Sequence, residues 1–147
     1  MFELDLYLRG VDLKPDALTS LLGVSPTETR TRGVSKVSRT GRSYETKVGL
    51  WNLKVEGGTP SECVAALATR FGGQIRDLSG LPGVEDAFLD VFVTLDLEKS
   101  ERTEVPIEFD PAALAQLAAF RVPLVVTFAA VGERLITQPP TDESVFF

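Results

Sequence analysis

Five basic side chains, Arg30, Arg32, Lys36, Arg39 and Arg42, fall within RTRGVSKVSRTGR, a stretch without a single carboxylate. Such residues bind anions, either the phosphates of a nucleic acid or the carboxylates of an acidic protein. Arg30, Arg32, Val34 and Lys36 share one face at period 2, opposite Thr31, Gly33, Ser35 and Val37. A strand followed by a basic turn at Arg39-Thr-Gly-Arg42 would therefore display the charges together. Nucleic-acid recognition also needs aromatic platforms or a helix for the groove. Here the interleaved residues are Thr, Gly, Val and Ser, and the nearest aromatics are Tyr44 and Trp51. The plainest expectation is a hairpin whose long stems cover apolar sheet surface while their heads stay wet. Among binding readings, an acidic protein partner or the chain's own acidic pole is favoured over nucleic acid.

Other chemistry is sparse. The chain has no histidine, which removes the commonest general base and imidazole metal ligation together. Its single cysteine, Cys63, lies early in an apolar helical segment without a basic neighbour to lower its pKa, so a buried structural thiol is expected. Asp90 and Asp96 share a strand face, but six residues of strand separate them by roughly 20 Å, too far for an acid–base pair. Asp96, Glu98, Glu101 and Glu104 could line a cation site around a turn. A solvated acidic hairpin tip that keeps a sheet edge from aggregating is the preferred reading. Gly57-Gly58-Thr59 precedes a helix and could hold an anion, but the capping box Thr59-Pro-Ser-Glu62 already satisfies those amides. No phosphate-binding loop or dinucleotide fingerprint is present, so no catalytic residue, cofactor or metal is expected.

The 147 residues suit one domain. Their 44% hydrophobic and 24% charged composition is that of a folded, soluble protein. Net charge is −6, yet Arg30 to Lys47 holds six basic residues against Glu45 alone; that local +5 leaves −11 for the rest of the chain. The opposite pole, Glu85 to Asp110, has nine carboxylates against Lys99 and Arg102. Lone Cys63 forbids an internal disulfide, and MFELDLYLRG lacks the layout of a signal peptide. No run approaches the roughly 20 apolar residues of a membrane span. A cytoplasmic protein is expected.

The elements that must position these residues follow from periodicity. Phe2, Leu4, Leu6 and Leu8 alternate with Glu3, Asp5, Tyr7 and Arg9 as in a half-buried strand. Pro15 opens a short amphipathic helix that Gly23 should cap. Strands are expected over the basic stretch to Val37 and from Thr46 to Val55, the latter placing Trp51 in the core. A helix follows from Thr59 to about Phe71, then a loop, then a strong strand from Phe88 to Leu97. A short strand from Glu104 to Phe109, a helix capped by Asp110-Pro111, and a buried strand from Leu124 to Val131 complete the order β-α-β-β-α-β-β-α-β. This is an α+β class, a single two-layer domain over residues 1–135 with a mainly antiparallel sheet and three short helices. Residues 136–147 read as a flexible tail. Pro15, Ala17, Leu18 and Leu21 match Pro111, Ala113, Leu114 and Leu117 at a constant offset of 96, which raises duplicated ferredoxin-like units as one origin.

Several of these segments occur in a familiar succession. The opening strand and Gly10-Val-Asp-Leu-Lys-Pro15 lead into a helix ending Leu21-Leu-Gly-Val-Ser-Pro-Thr27. A basic segment with Arg32-Gly33 follows, then Gly49-Leu-Trp-Asn-Leu53, and later Asp110-Pro-Ala-Ala-Leu114. To about Ala130 the chain resembles the bacterial family known as domain of unknown function 4279. The resemblance implies a small cytoplasmic bacterial protein with no known catalytic residues, for which an immunity-type role is conceivable. Members often begin the middle helix with an acidic residue and a histidine, whereas this chain has Ser61-Glu62-Cys63, so a role for that histidine would not carry over.

The expectation is thus a non-enzymatic binding protein that engages an acidic partner through Arg30, Arg32, Lys36, Arg39 and Arg42, with nucleic acid on the same patch as the alternative. No membrane association is expected. An unpaired sheet edge beside the basic strand would support a homodimer.

Overall fold

The computed structural model describes residues 1–33, 35–37, 40–45, 47–73, 77–96, 98 and 105–131, with the backbone alone at Ser35, Lys36, Tyr44, Glu45 and Val131. Strand β1 (Phe2–Gly10) is the centre of a five-stranded mixed sheet. It pairs antiparallel with β5 (Gly49–Gly57) on one side and β6 (Asp86–Asp96) on the other. Short β2 (Glu28–Arg30) pairs antiparallel with the outer edge of β5, and β7 (Leu124–Val131) runs parallel to β6. The sheet order is β2-β5-β1-β6-β7. Two further strands, β3 (Ser35–Val37) and β4 (Ser43–Glu45), form a separate hairpin sheet.

Three helices cover one face: α1 (Pro15–Leu22), α2 (Pro60–Arg70) and α3 (Pro111–Phe120). Each begins with proline, whose missing N–H costs nothing at a helix start. Thr59 Oγ1 accepts from the Glu62 N–H at 3.1 Å, while the Gly58 N–H donates to Glu62 Oε2 at 2.8 Å. Asp110 Oδ1 accepts from the Ala113 N–H at 2.7 Å, and the Asp110 N–H donates to Ser61 Oγ, tying the starts of α2 and α3 together. Gly23 closes α1 in the left-handed conformation, φ 70°.

The core lies between these helices and the sheet. Leu4, Leu6 and Leu8 meet Trp51 and Leu53 of β5 and Leu89 and Val91 of β6, all fully buried. Leu18, Val64, Leu67 and Phe120 come from the helices. Each such side chain contributes about 1.5–3 kcal/mol by leaving water, more than the roughly 1 kcal/mol of a typical helix cap. Trp51 is in the core as expected, and its indole Nε1–H donates to Thr19 Oγ1 of α1 at 3.0 Å.

The α+β class and the broad element order match the sequence expectation, with four differences. First, the basic stretch is not one strand: β2 ends at Arg30, and Gly33 at φ 87° turns the chain before β3 begins. Arg30 therefore belongs to the main sheet and Lys36 to the hairpin. Second, residues 105–109 form no strand, although Val105, Ile107 and Phe109 do pack on the core. Pro106 lacks the donor that a ladder needs. Third, β7 is an edge strand rather than a buried one: Leu124, Val125, Val126 and Phe128 are exposed. Fourth, β1-α1-β2-β5-α2-β6 forms one split, ferredoxin-like β-α-β-β-α-β unit. In place of a second unit, α3 and β7 add one parallel strand. The tail over residues 136–147 lies outside the described residues.

Candidate functional site

The basic residues sit on an excursion inserted between β2 and β5. Arg30 projects from the sheet edge and is held by its own neighbour, with Nη2 at 2.9 Å and Nε at 3.0 Å from Glu28 Oε1. Both side chains are about half exposed, so this pair is worth no more than about 1 kcal/mol and leaves Arg30 able to exchange partners. Arg32 is exposed in the turn before β3 and makes no hydrogen bond or ion pair among the described residues. Lys36 lies in β3 with its backbone opposite Tyr44 of β4. Arg42 is exposed just before β4, and Lys47 is exposed just before β5. Arg39 lies outside the described residues. Along the chain, then, Arg42 lies in the connection of the β3–β4 hairpin and Lys36 on β3, with Arg32 just before the hairpin, Lys47 just after it, and Arg30 on β2 of the main sheet.

The sheet face away from the helices holds a polar centre that sequence reasoning missed. Asp5 of β1 lies directly between Lys54 of β5 and Asp90 of β6. Asp5 and its neighbour Asn52 are both buried. Asn52 Nδ2 donates to Asp5 Oδ1 at 3.0 Å and to the Leu6 carbonyl at 3.2 Å. Burial pushes the Asp5 pKa above the ordinary carboxylate value; the Asn52 hydrogen bond and Lys54 oppose the shift, and Glu3 and Asp90 add to it. Lys54 is in turn pushed up by Asp5 and Glu3, with its Nζ 3.6 Å from Glu3 Oε2. Asp90 accepts from Thr127 Oγ1 at 2.8 Å.

Beside this centre Tyr7 stacks on Phe88, with ring centroids 5.0 Å apart at 27°. The Arg9 guanidinium lies 5.0 Å from the Phe88 centroid and pairs with Asp86 at 2.8 Å. Exposed aromatics on a ferredoxin-like sheet can stack bases. Here, however, Glu3, Asp5, Asp86 and Asp90 outnumber Arg9 and Lys54 on their face, and both cations are already paired with carboxylates, a charge balance that disfavours a phosphate backbone. Alternation in the N-terminal strand placed Asp5 on the polar face. Only the pairing register reveals that Asn52 and Asp90 converge on it.

Cys63, Ser61 and Glu62 are engaged in packing and capping α2. Cys63 is buried, its Sγ 3.4 Å from the Phe2 carbonyl oxygen, and burial pushes the thiol up to about 11. Ser61 and Glu62 are occupied in tying and capping helices. In the acidic turn the Glu98 N–H donates to Asp96 Oδ1 at 3.0 Å, while Glu101 and Glu104 lie outside the described residues. Among the described residues no group of three or more acidic or thiol side chains could hold a metal ion, and no helix is long and apolar enough to cross a membrane.

Residues 2–130 match the model of one protein family, described as domain of unknown function (DUF4279). No curated protein and no solved structure matches the chain.

Proposed function

The chain belongs to the family described as domain of unknown function (DUF4279), and from that premise we propose a non-enzymatic interaction protein of the bacterial cytoplasm whose basic hairpin engages an acidic surface on a partner protein. One observation carries the reading. The segment between β2 and β5 leaves the main sheet, folds back on itself as β3 and β4, and presents Arg32, Arg42 and Lys47 to solvent in a chain of net charge −6. A two-stranded hairpin alone is marginally stable, and contacts with an anionic partner would add to its stability. Complementary charge at such a projection speeds encounter and selects the partner more than it adds affinity.

Poly-L-glutamate and short single-stranded RNA and DNA, each fluorescently labelled, distinguish the acidic-protein reading from nucleic-acid binding. Anisotropy at about 20 mM salt should rise with poly-L-glutamate and fall back near 150 mM, where the Debye length shortens to about 8 Å. Binding of the nucleic acids in preference to poly-L-glutamate would replace the proposal with the nucleic-acid alternative.

A further inference from the structure

The two edges of the five-stranded sheet are built on opposite plans. The β2 edge is three residues long and carries Glu28 and Arg30, the short, charged form that resists pairing with another chain. The β7 edge is eight residues long, LVVTFAAV, and contains no charge, proline or glycine. Its apolar side chains are open on both faces: Val126 is 49% and Phe128 51% exposed on the helix-bearing face, and Val125 is 42% exposed on the other. Asp96 of β6 is level with the far end of β7, so the outermost strand is uncharged although its neighbour is not. Natural sheets blunt such an edge or pair it.

We propose that β7 pairs antiparallel with β7 of a second copy of this chain, giving a two-fold dimer with one continuous ten-stranded sheet. The strand's own sequence fits that occupant. Pairing centred on Thr127 places Val126 opposite Phe128 of the second copy, and by symmetry Phe128 opposite the second copy's Val126. These are β-branched and aromatic pairs of the kind that stabilise adjacent strands. The same register sets Val125 against Ala129 and Leu124 against Ala130, keeping large residues opposite small ones. An uncharged ladder needs an uncharged partner, and in a protein that is 24% charged a second β7 supplies one at every position. The chain beyond Val131 is a poorer match, because Pro139 and Pro140 cannot donate to a ladder and leave too short a run before them to cover eight residues. One strand per subunit buries less than the roughly 1,200–2,000 Å² of standard stable complexes, so the dimer forms in a concentration-dependent way.

Sedimentation equilibrium of the full chain from about 10 to 500 µM tests this. The wild-type mass should rise from 16.0 kDa toward twice that value; a protein that stays monomeric throughout overturns the proposal. Val126→Glu with Phe128→Glu puts like charges opposite each other on both sides of the two-fold axis and should hold the protein monomeric. A dimer that persists in this variant overturns the assignment to β7. Val126→Lys with Phe128→Glu puts opposite charges across the same pairs and should restore dimerisation. If it does not, the Thr127-centred register is wrong. All substituted positions are half exposed, and matching circular dichroism spectra establish that each variant is folded.

Discussion

Asn52 of β5 reaches across to β1 and donates a 3.0 Å hydrogen bond to Asp5, and both side chains are buried on the face the helices leave uncovered. The carboxyl has Lys54 on one side and Asp90 on the other, so it is held between an attractive and a repulsive neighbour. Asn52→Ala removes the donor and leaves a buried acceptor unsatisfied. The expected loss is about 1–3 kcal/mol of stability, read from the urea midpoint at unchanged slope.

The pH dependence follows from the direction of the Asp5 shift. Its folded-state pKa lies above the ordinary 3.8, so the native state holds this proton more tightly than the unfolded chain does. Asp5 therefore contributes most to stability below that ordinary value, and the contribution is lost as pH rises through the folded pKa. Asp5→Asn removes the ionisation while keeping a group that can face Asn52. The melting temperature of Asp5→Asn relative to wild type should increase between pH 3.5 and pH 7. A difference that shrinks over that range would contradict the assignment.

Cys63 gives a chemical test of the core. A thiol pushed up to about 11 inside α2 is almost wholly protonated at pH 8, and its sulfur is inaccessible. Native protein should react with Ellman's reagent at least about a hundredfold more slowly than protein in 6 M guanidinium chloride. Rapid labelling of native protein would mean that α2 does not bury this face.

Gly10 tests the junction at one end of the sheet. A Cβ there would come within 1.9 Å of the Gly83 carbonyl oxygen, a backbone atom that cannot turn aside. The same end is tied by the Val11 N–H donating to Glu85 Oε1 at 2.7 Å. Gly10→Ala should cost about 1–3 kcal/mol, the usual penalty of overpacking. A melting temperature equal to wild type would show that the two loops are not packed together.

Much of the scaffold was legible because burial dictates it. The Leu4–Leu6–Leu8 alternation, the proline-opened helices and the strand around Trp51 each follow from one local rule and are present in the structure, although that strand runs Gly49–Gly57 rather than Thr46 to Val55. Pairing was harder to read. Val105, Ile107 and Phe109 alternate as a strand would, yet period-2 burial reports only which side chains meet the core. Whether the backbone joins a ladder depends on distant residues and on Pro106. The same limit hid the exposure of β7: its apolar run looks like an interior strand, and only the sheet order puts it at the edge. In the basic stretch the residue types were clear, but a single left-handed glycine, Gly33, decided that Arg30 and Lys36 part company. The Asp5–Asn52 contact joins residues 47 positions apart and had no local signature.

Affinity capture from the native lysate, with the wild-type chain and the Arg32→Glu, Lys36→Glu double variant run side by side, tests the central claim most directly. Arg32 is exposed in the turn before β3, and Lys36 lies on β3, outside the five-stranded sheet, so the double variant should melt within a few degrees of wild type. The wild-type chain should retain an acidic protein, identified by mass spectrometry, that the variant loses and that elutes as salt is raised. Equal capture by both proteins, or no retained acidic protein at low salt, would contradict the claim.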